Sequence, residues 1–216
     1  MHAPQKPIYA LVIGNDNYKG ESKLDKAVND ARAFKEMVEE KGVRVFYITN
    51  CTIKELNAIK NKFLSMIRKG DVVLVFFAGH GVTYHNHNRL LAIAEGEKLH
   101  YKNDSLSLQV LICECVTPHR VRPSPYKTNV CLNNQCSIED QGAKYAVLIL
   151  DCCRTFKYNE AKSRNATRSP SGATGTLVAF GCRANSFTRE GKGKHGKYLF
   201  KTLTPQCLVV VPPVLA

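Results

Sequence analysis

The chain has 216 residues, of which 44% are hydrophobic and 23% charged, the balance of one soluble globular domain large enough to bury a core without disulfide or metal staples. Lys and Arg number 31 against 18 Asp and Glu, a formal net charge of +13. The basic residues are dispersed except for one dense zone at 154–168, with no interleaved aromatics, so the charge reads as a solvated surface rather than a nucleic-acid module. No run approaches the roughly 18 apolar residues of a membrane span, and the first apolar run, Ile8 to Ile13, is too short for a signal peptide. Nine cysteines without a signal read as thiols. A cytoplasmic protein is expected, with neither a membrane nor a specific nucleic acid as partner.

Ile8 to Ile13 is a short β-branched apolar run closed by Gly14-Asn15-Asp16-Asn17, which predicts a buried strand and a turn. From Leu24 to Glu40, apolar residues at 24, 27, 28, 31, 34 and 38 form one helical stripe, and Gly42 supplies the stop. Val43 to Thr49 is a second strand. Thr52 and Glu55 have the spacing of a capping box, opening a helix that runs to about Arg68 and stops at Gly70. Val72 to Phe77 is apolar at every position and so is buried on both faces; Tyr145 to Leu150 and Thr176 to Phe180 repeat that character. His85 and His87 fall in a polar tract that reads as solvated. Residues 110–134 have little periodicity, carry prolines and cysteines, and form a long loop.

Strands alternating with helices imply parallel βαβ units and a sheet covered on both sides. The reactive edge of such a sheet lies beyond the carboxyl ends of its strands. Two motifs are delivered there: Ala78-Gly79-His80-Gly81 and Asp151-Cys152-Cys153-Arg154. A histidine between glycines exposes its imidazole. A cysteine at a strand end becomes a nucleophile when a neighbouring base favours the thiolate. Backbone amides of Gly81 and Cys153 are the candidate oxyanion donors. Cys152 is the rival nucleophile; successive side chains on a strand point to opposite faces, so the two neighbours should differ in environment. Cys113, Cys115, Cys131 and Cys136, with His119 between, have a poor first spacing for structural zinc, and no acidic cluster has calcium-loop spacing. No metal site is predicted.

Ala10-Leu-Val-Ile-Gly-Asn15, Phe76-Phe-Ala-Gly-His-Gly81 and Leu148-Ile-Leu-Asp-Cys-Cys153 resemble the successive signatures of caspase-like cysteine peptidases. The Asp-x-Cys-Arg form at 151–154 is more similar to the paracaspase branch than to true caspases. The resemblance implies a caspase-like three-layer α/β fold, with a mainly parallel central sheet flanked by helices, in a single domain spanning 1–216. It implies Cys153 as nucleophile and His80 as general base or acid. It also implies a pocket of Asp30, Asp151 and Glu190 for a basic side chain, so protein or peptide substrates cleaved after Arg, then Lys, are expected. Calcium use occurs among similar proteins, although this sequence offers no site for it; no cofactor is expected. Against the family pattern, the stretch at about 110–134 is an insertion and the part after about 203 is abbreviated. The abbreviation argues against the homodimer that the resemblance implies, and it raises an alternative: a catalytically impaired scaffold or signalling interaction domain.

Overall fold

A computed structural model describes residues 7–19, 23–84, 87–112, 137–153, 155–156 and 175–181. Five strands form a wholly parallel sheet: β1 (Tyr9–Gly14), β2 (Arg44–Thr49), β3 (Val72–Ala78), β7 (Tyr145–Asp151) and β9 (Thr176–Phe180), in the order β2-β1-β3-β7-β9. The crossovers carry α1 (Ala27–Glu39) and α2 (Ile53–Met66). A second sheet of order β6-β5-β4-β8 is built from β4 (Gly81–Tyr84), β5 (His87–Leu91), β6 (Ser105–Ser107) and β8 (Thr155–Phe156), with α3 (Leu108–Ile112) following β6.

Strand alternation divides the core into two layers. Ala10 and Val12 of β1, Leu74 and Phe76 of β3 and Ile149 of β7 pack against Ala27, Ala31, Phe34 and Val38 of α1. Phe34 stacks on Phe76 with ring centroids 4.4 Å apart. The intervening residues, Leu11, Ile13, Val73, Val75, Phe77, Leu148 and Leu150, pack on the opposite side with Leu56, Phe63 and Leu64 of α2 and with Leu106, Leu108 and Leu111 of the second sheet and α3. The result is a helix–sheet–helix sandwich. No helix among the described residues is long and apolar enough to cross a membrane.

The two crossover helices are capped differently. Thr52 and Glu55 form the expected capping box on α2: the Thr52 side chain accepts from the Glu55 N–H and the Glu55 carboxylate accepts from the Thr52 N–H. At α1 the position before the first turn is Lys26, which gives no side-chain cap. The Asp16 carboxylate, from the loop after β1, instead accepts from the N–H groups of Ala27 at 2.8 Å and Val28 at 3.2 Å. A carboxylate at a helix N-terminus also complements the helix dipole.

Of the two histidines read as solvated, His85 lies outside the described residues and His87, at the start of β5, is half-buried. β4 and β5 pair antiparallel, with Val82, Thr83, Asn88, Leu90 and Leu91 buried. The Thr83 hydroxyl bonds Asn88 Oδ1, and Arg89 donates through Nη1 to Ser105 Oγ and the Lys102 carbonyl. The expected loop from 110 begins inside a short helix, α3; the rest of that segment, the cysteines at 113, 115, 131 and 136 and the C-terminal stretch after 203 lie outside the described residues.

Asp16 joins the strand end to the helix that covers it, so its loss is felt in stability. Asp16→Ala is expected to cost about 1 kcal/mol, and Asp16→Asn less, measured from the urea midpoint at constant slope.

Candidate active site

The carboxyl ends of β1, β3 and β7 lie level across the sheet: Gly14 pairs with Ala78 and Ala78 with Asp151. Beyond this line the chains leaving β3 and β7 stay together. The Gly79 N–H donates to the Asp151 carbonyl at 3.3 Å, and pairing resumes where Val82 meets Thr155 and Thr83 meets Phe156. The offset between partners is the same before and after the gap, so His80 stands level with Cys153. The contact there is close. A Cβ on Gly81 would lie 2.6 Å from the Cys153 carbonyl oxygen and 2.7 Å from Cys152 Sγ, distances that no real side chain occupies, so glycine at 81 is what lets the two chains approach.

Asp151 and the two cysteines that follow it at the end of β7 differ in their surroundings. Cys152 is 2% exposed and joins the α2-side core, whereas Cys153 is half-buried at the sheet edge. His80 is likewise half-buried. The Leu91 N–H donates to the His80 carbonyl at 3.0 Å. Bonded and non-bonded pairs alternate along an antiparallel ladder, so Gly81 faces Leu90 as a non-bonded pair. Its N–H therefore turns away from β5, to the side where Cys153 runs.

Asp151 shares the α1 side of β7 with Ile149. Asp30 lies on α1 within the buried stripe of Ala27, Ala31, Phe34 and Val38 and is 2% exposed. Its sequence position suggested the flank of the helix; the structure puts it inside. The two acids feel each other: burial, and then the charge of Asp30, push the Asp151 carboxyl up to about 6. Glu190, the third expected pocket acid, lies outside the described residues. Among the described residues no group of three or more His, Cys, Asp or Glu side chains is placed to hold a metal ion.

Sequence reasoning treated the segment after β1 as a plain turn, yet two of its side chains organise the site. Asn15 is fully buried. Its N–H donates to the Ala78 carbonyl and its Nδ2 to the Leu91 carbonyl, both at 3.0 Å, while its Oδ1 accepts from the Cys51 N–H at 3.1 Å. Burial pushes the neighbouring Cys51 thiol up to about 11, so this cysteine remains a neutral thiol. The Tyr18 hydroxyl accepts from the His80 N–H at 2.9 Å and donates to the Leu91 carbonyl at 3.1 Å. The sequence signals were slight: both lie beyond a strand end, and Asn15 closes the first of the three family signatures.

Residues 8–204 match the family described as the caspase domain, Peptidase C14. The human mucosa-associated lymphoid tissue lymphoma translocation protein 1 is 25% identical over 148 residues, 67% of this chain and 15% of that protein; this chain thus spans a small part of its relative's length. A crystal structure of protein GSU0716 from Geobacter sulfurreducens is similar with a TM-score of 0.47 at 14% identity, covering 70% of this chain and 52% of that one. With nearly its whole length matched, the chain belongs to the caspase-domain family of cysteine peptidases.

Proposed function

We propose that this protein is a cysteine endopeptidase of the paracaspase type that cleaves peptide bonds after Arg and, less well, after Lys. The observation that carries the reading is the shared register of the two strand ends, which sets His80 level with Cys153 and Gly81 against Cys152 and Cys153. His80 takes the proton of the Cys153 thiol, and the thiolate attacks the scissile carbonyl carbon. The developing oxyanion is met by the N–H groups of Gly81 and Cys153. His80 then delivers its proton to the departing amine, leaving a thioester on Cys153. Water, deprotonated by His80, hydrolyses the thioester and restores the thiol.

The choice of substrate rests on the buried acids. Two carboxylates within electrostatic reach of each other, one of them pushed up to about 6 by burial and its neighbour, are an unfavourable arrangement that a cation relieves. A guanidinium does so with a planar pair of donors, an ammonium only as a point charge. An aspartate in the same pocket adds another negative charge and is rejected. Glu190 is proposed as the third acid of the pocket.

Fluorogenic peptides ending in Arg, Lys or Asp, assayed with and without calcium, test the reading directly. Cleavage after Arg is expected, with none after Asp; a folded protein that cleaves none of them would instead be a scaffold. Cys153→Ala is expected to abolish turnover, Cys152→Ala to retain much of it, and His80→Ala to lower kcat about 10²–10⁴-fold. Labelling of Cys152 by an activity-based probe would reverse the assignment of the nucleophile.

Proton linkage gives a separate expectation. The folded-state pKa of Asp151, about 6, is above its ordinary 3.8, so between those values the folded, empty protein binds more protons than the unfolded chain. Stability of the empty domain therefore falls as pH rises from about 4 to about 6, and Asp151→Asn flattens that slope. An Arg-ended peptide needs the ionised acid. Its affinity for Cys153→Ala protein, measured by calorimetry, is expected to rise between pH 5 and 7.5, and Asp30→Ala is expected to cost about 2–5 kcal/mol of binding. An affinity indifferent to pH and to Asp30 would place these acids outside the substrate pocket.

A further inference from the structure

We infer that Tyr18 is a positioning residue, which fixes the His80 imidazole for its exchange of a proton with Cys153; the inference rests on the peptidase reading above and adds a residue to it. His80 lies in a short connection between β3 and β4, outside any helix or strand. An imidazole in such a place has rotamers to choose from, and a misplacement of about 1 Å at a reacting group can cost about 10²-fold in rate. Something must hold it.

The structure supplies three constraints that involve Tyr18, with Leu91 sharing in the first. The hydroxyl accepts from the His80 N–H at 2.9 Å and donates to the Leu91 carbonyl at 3.1 Å, while the Leu91 N–H donates back to the His80 carbonyl at 3.0 Å. Both polar backbone groups of His80 are thereby fixed. The tyrosine ring then packs on the imidazole itself, with centroids 4.5 Å apart and planes inclined at 54°, which limits rotation of the histidine side chain. The third constraint is Gly79, with φ +156°, where a Cβ would stand 2.5 Å from the Tyr18 hydroxyl oxygen and 2.9 Å from the Phe77 ring. The backbone thus passes directly against the phenol on its way to His80, a path open only to glycine. Tyr18 is 3% exposed, and burial holds its phenol protonated far above the ordinary range, so one oxygen serves as donor and acceptor at once.

A residue that merely filled space here would change stability when altered, not the chemistry of folded molecules. Tyr18→Phe keeps the ring and loses both hydrogen bonds; Tyr18→Leu loses the ring as well. With rates expressed per alkylatable Cys153, kcat is expected to fall about 10-fold in Tyr18→Phe and about 100-fold in Tyr18→Leu, with KM within about twofold. Alkylation of Cys153 by iodoacetamide at pH 7, followed by mass-spectrometric mapping, should slow in the same order, toward the rate in His80→Ala. If His80→Ala slows alkylation but both Tyr18 variants keep wild-type kcat and alkylation, the Tyr18 role is overturned and the Cys153–His80 pairing stands. If His80→Ala leaves alkylation unchanged, the pairing fails and this inference with it. Should the variants not fold, the wild-type protein still decides the matter by NMR. A cross-peak between the Tyr18 ring and the His80 imidazole, assigned by its loss in His80→Ala, is expected, and its absence would refute the contact.

Discussion

The carbonyl of Leu91 is the point on which the site depends. It accepts from Asn15 Nδ2 and from the Tyr18 hydroxyl, both carried by the chain leaving β1, while the Leu91 N–H holds the His80 carbonyl. The small sheet is thereby fastened to the carboxyl edge of the large one. The same edge is closed from the other direction, where the Ile93 N–H donates to the Cys51 carbonyl at 2.8 Å and Cys51 in turn donates to Asn15. These groups are buried, so each unmade bond would carry its full desolvation cost. A fully satisfied polar network of this kind favours one arrangement of the β3–β4 connection over its alternatives.

Much of the fold was legible because it is written in local patterns. The five strands of the parallel sheet are short apolar runs, α1 carries a single apolar stripe, and the capping box of α2 is a four-residue signal; none needs a distant partner to be recognised. Strand limits shifted by a residue or so, as terminal turns and bridges do. The second sheet was not legible. His87 falls in a tract that reads as solvated, and what makes 87–91 a strand is pairing with residues up to about twenty positions away, together with the burial of Leu90 and Leu91. The β4–β8 pairing joins residues still more distant in sequence. The site divides the same way. His80, Gly81 and Cys153 could be nominated from the sequence because glycine–histidine–glycine and a cysteine after an apolar run are local signals. Asn15 and Tyr18 were passed over because their significance lies entirely in what they touch. Asp30 was located by resemblance, but its burial follows from the register of α1 on the sheet, which places position 30 beside 27, 31 and 34.

In the reading proposed above, the acids serve a functional demand at a cost to folding. Asp30 is 2% exposed on α1, a place that charged residues seldom occupy. Keeping Asp30 buried near Asp151 raises the proton affinity of the latter and weakens the empty fold above that pKa. Such local disagreement between sequence and stability is expected where a ligand completes the structure.

One strand end therefore separates three consecutive side chains by geometry alone. Asp151, the last residue of β7, faces the α1 layer and its acid partner; Cys152 turns into the opposite layer, under Gly81; Cys153 comes to the edge, level with His80. The register of β7 against β3 is held by seven paired positions from Val72–Tyr145 to Ala78–Asp151, and it fixes where the chain leaving Asp151 begins. Cys152 and Cys153 follow the strand end, the first packed in the α2-side core beneath Gly81 and the second half-buried at the edge. In the reading proposed above, substitution of the first tests volume and substitution of the second tests chemistry.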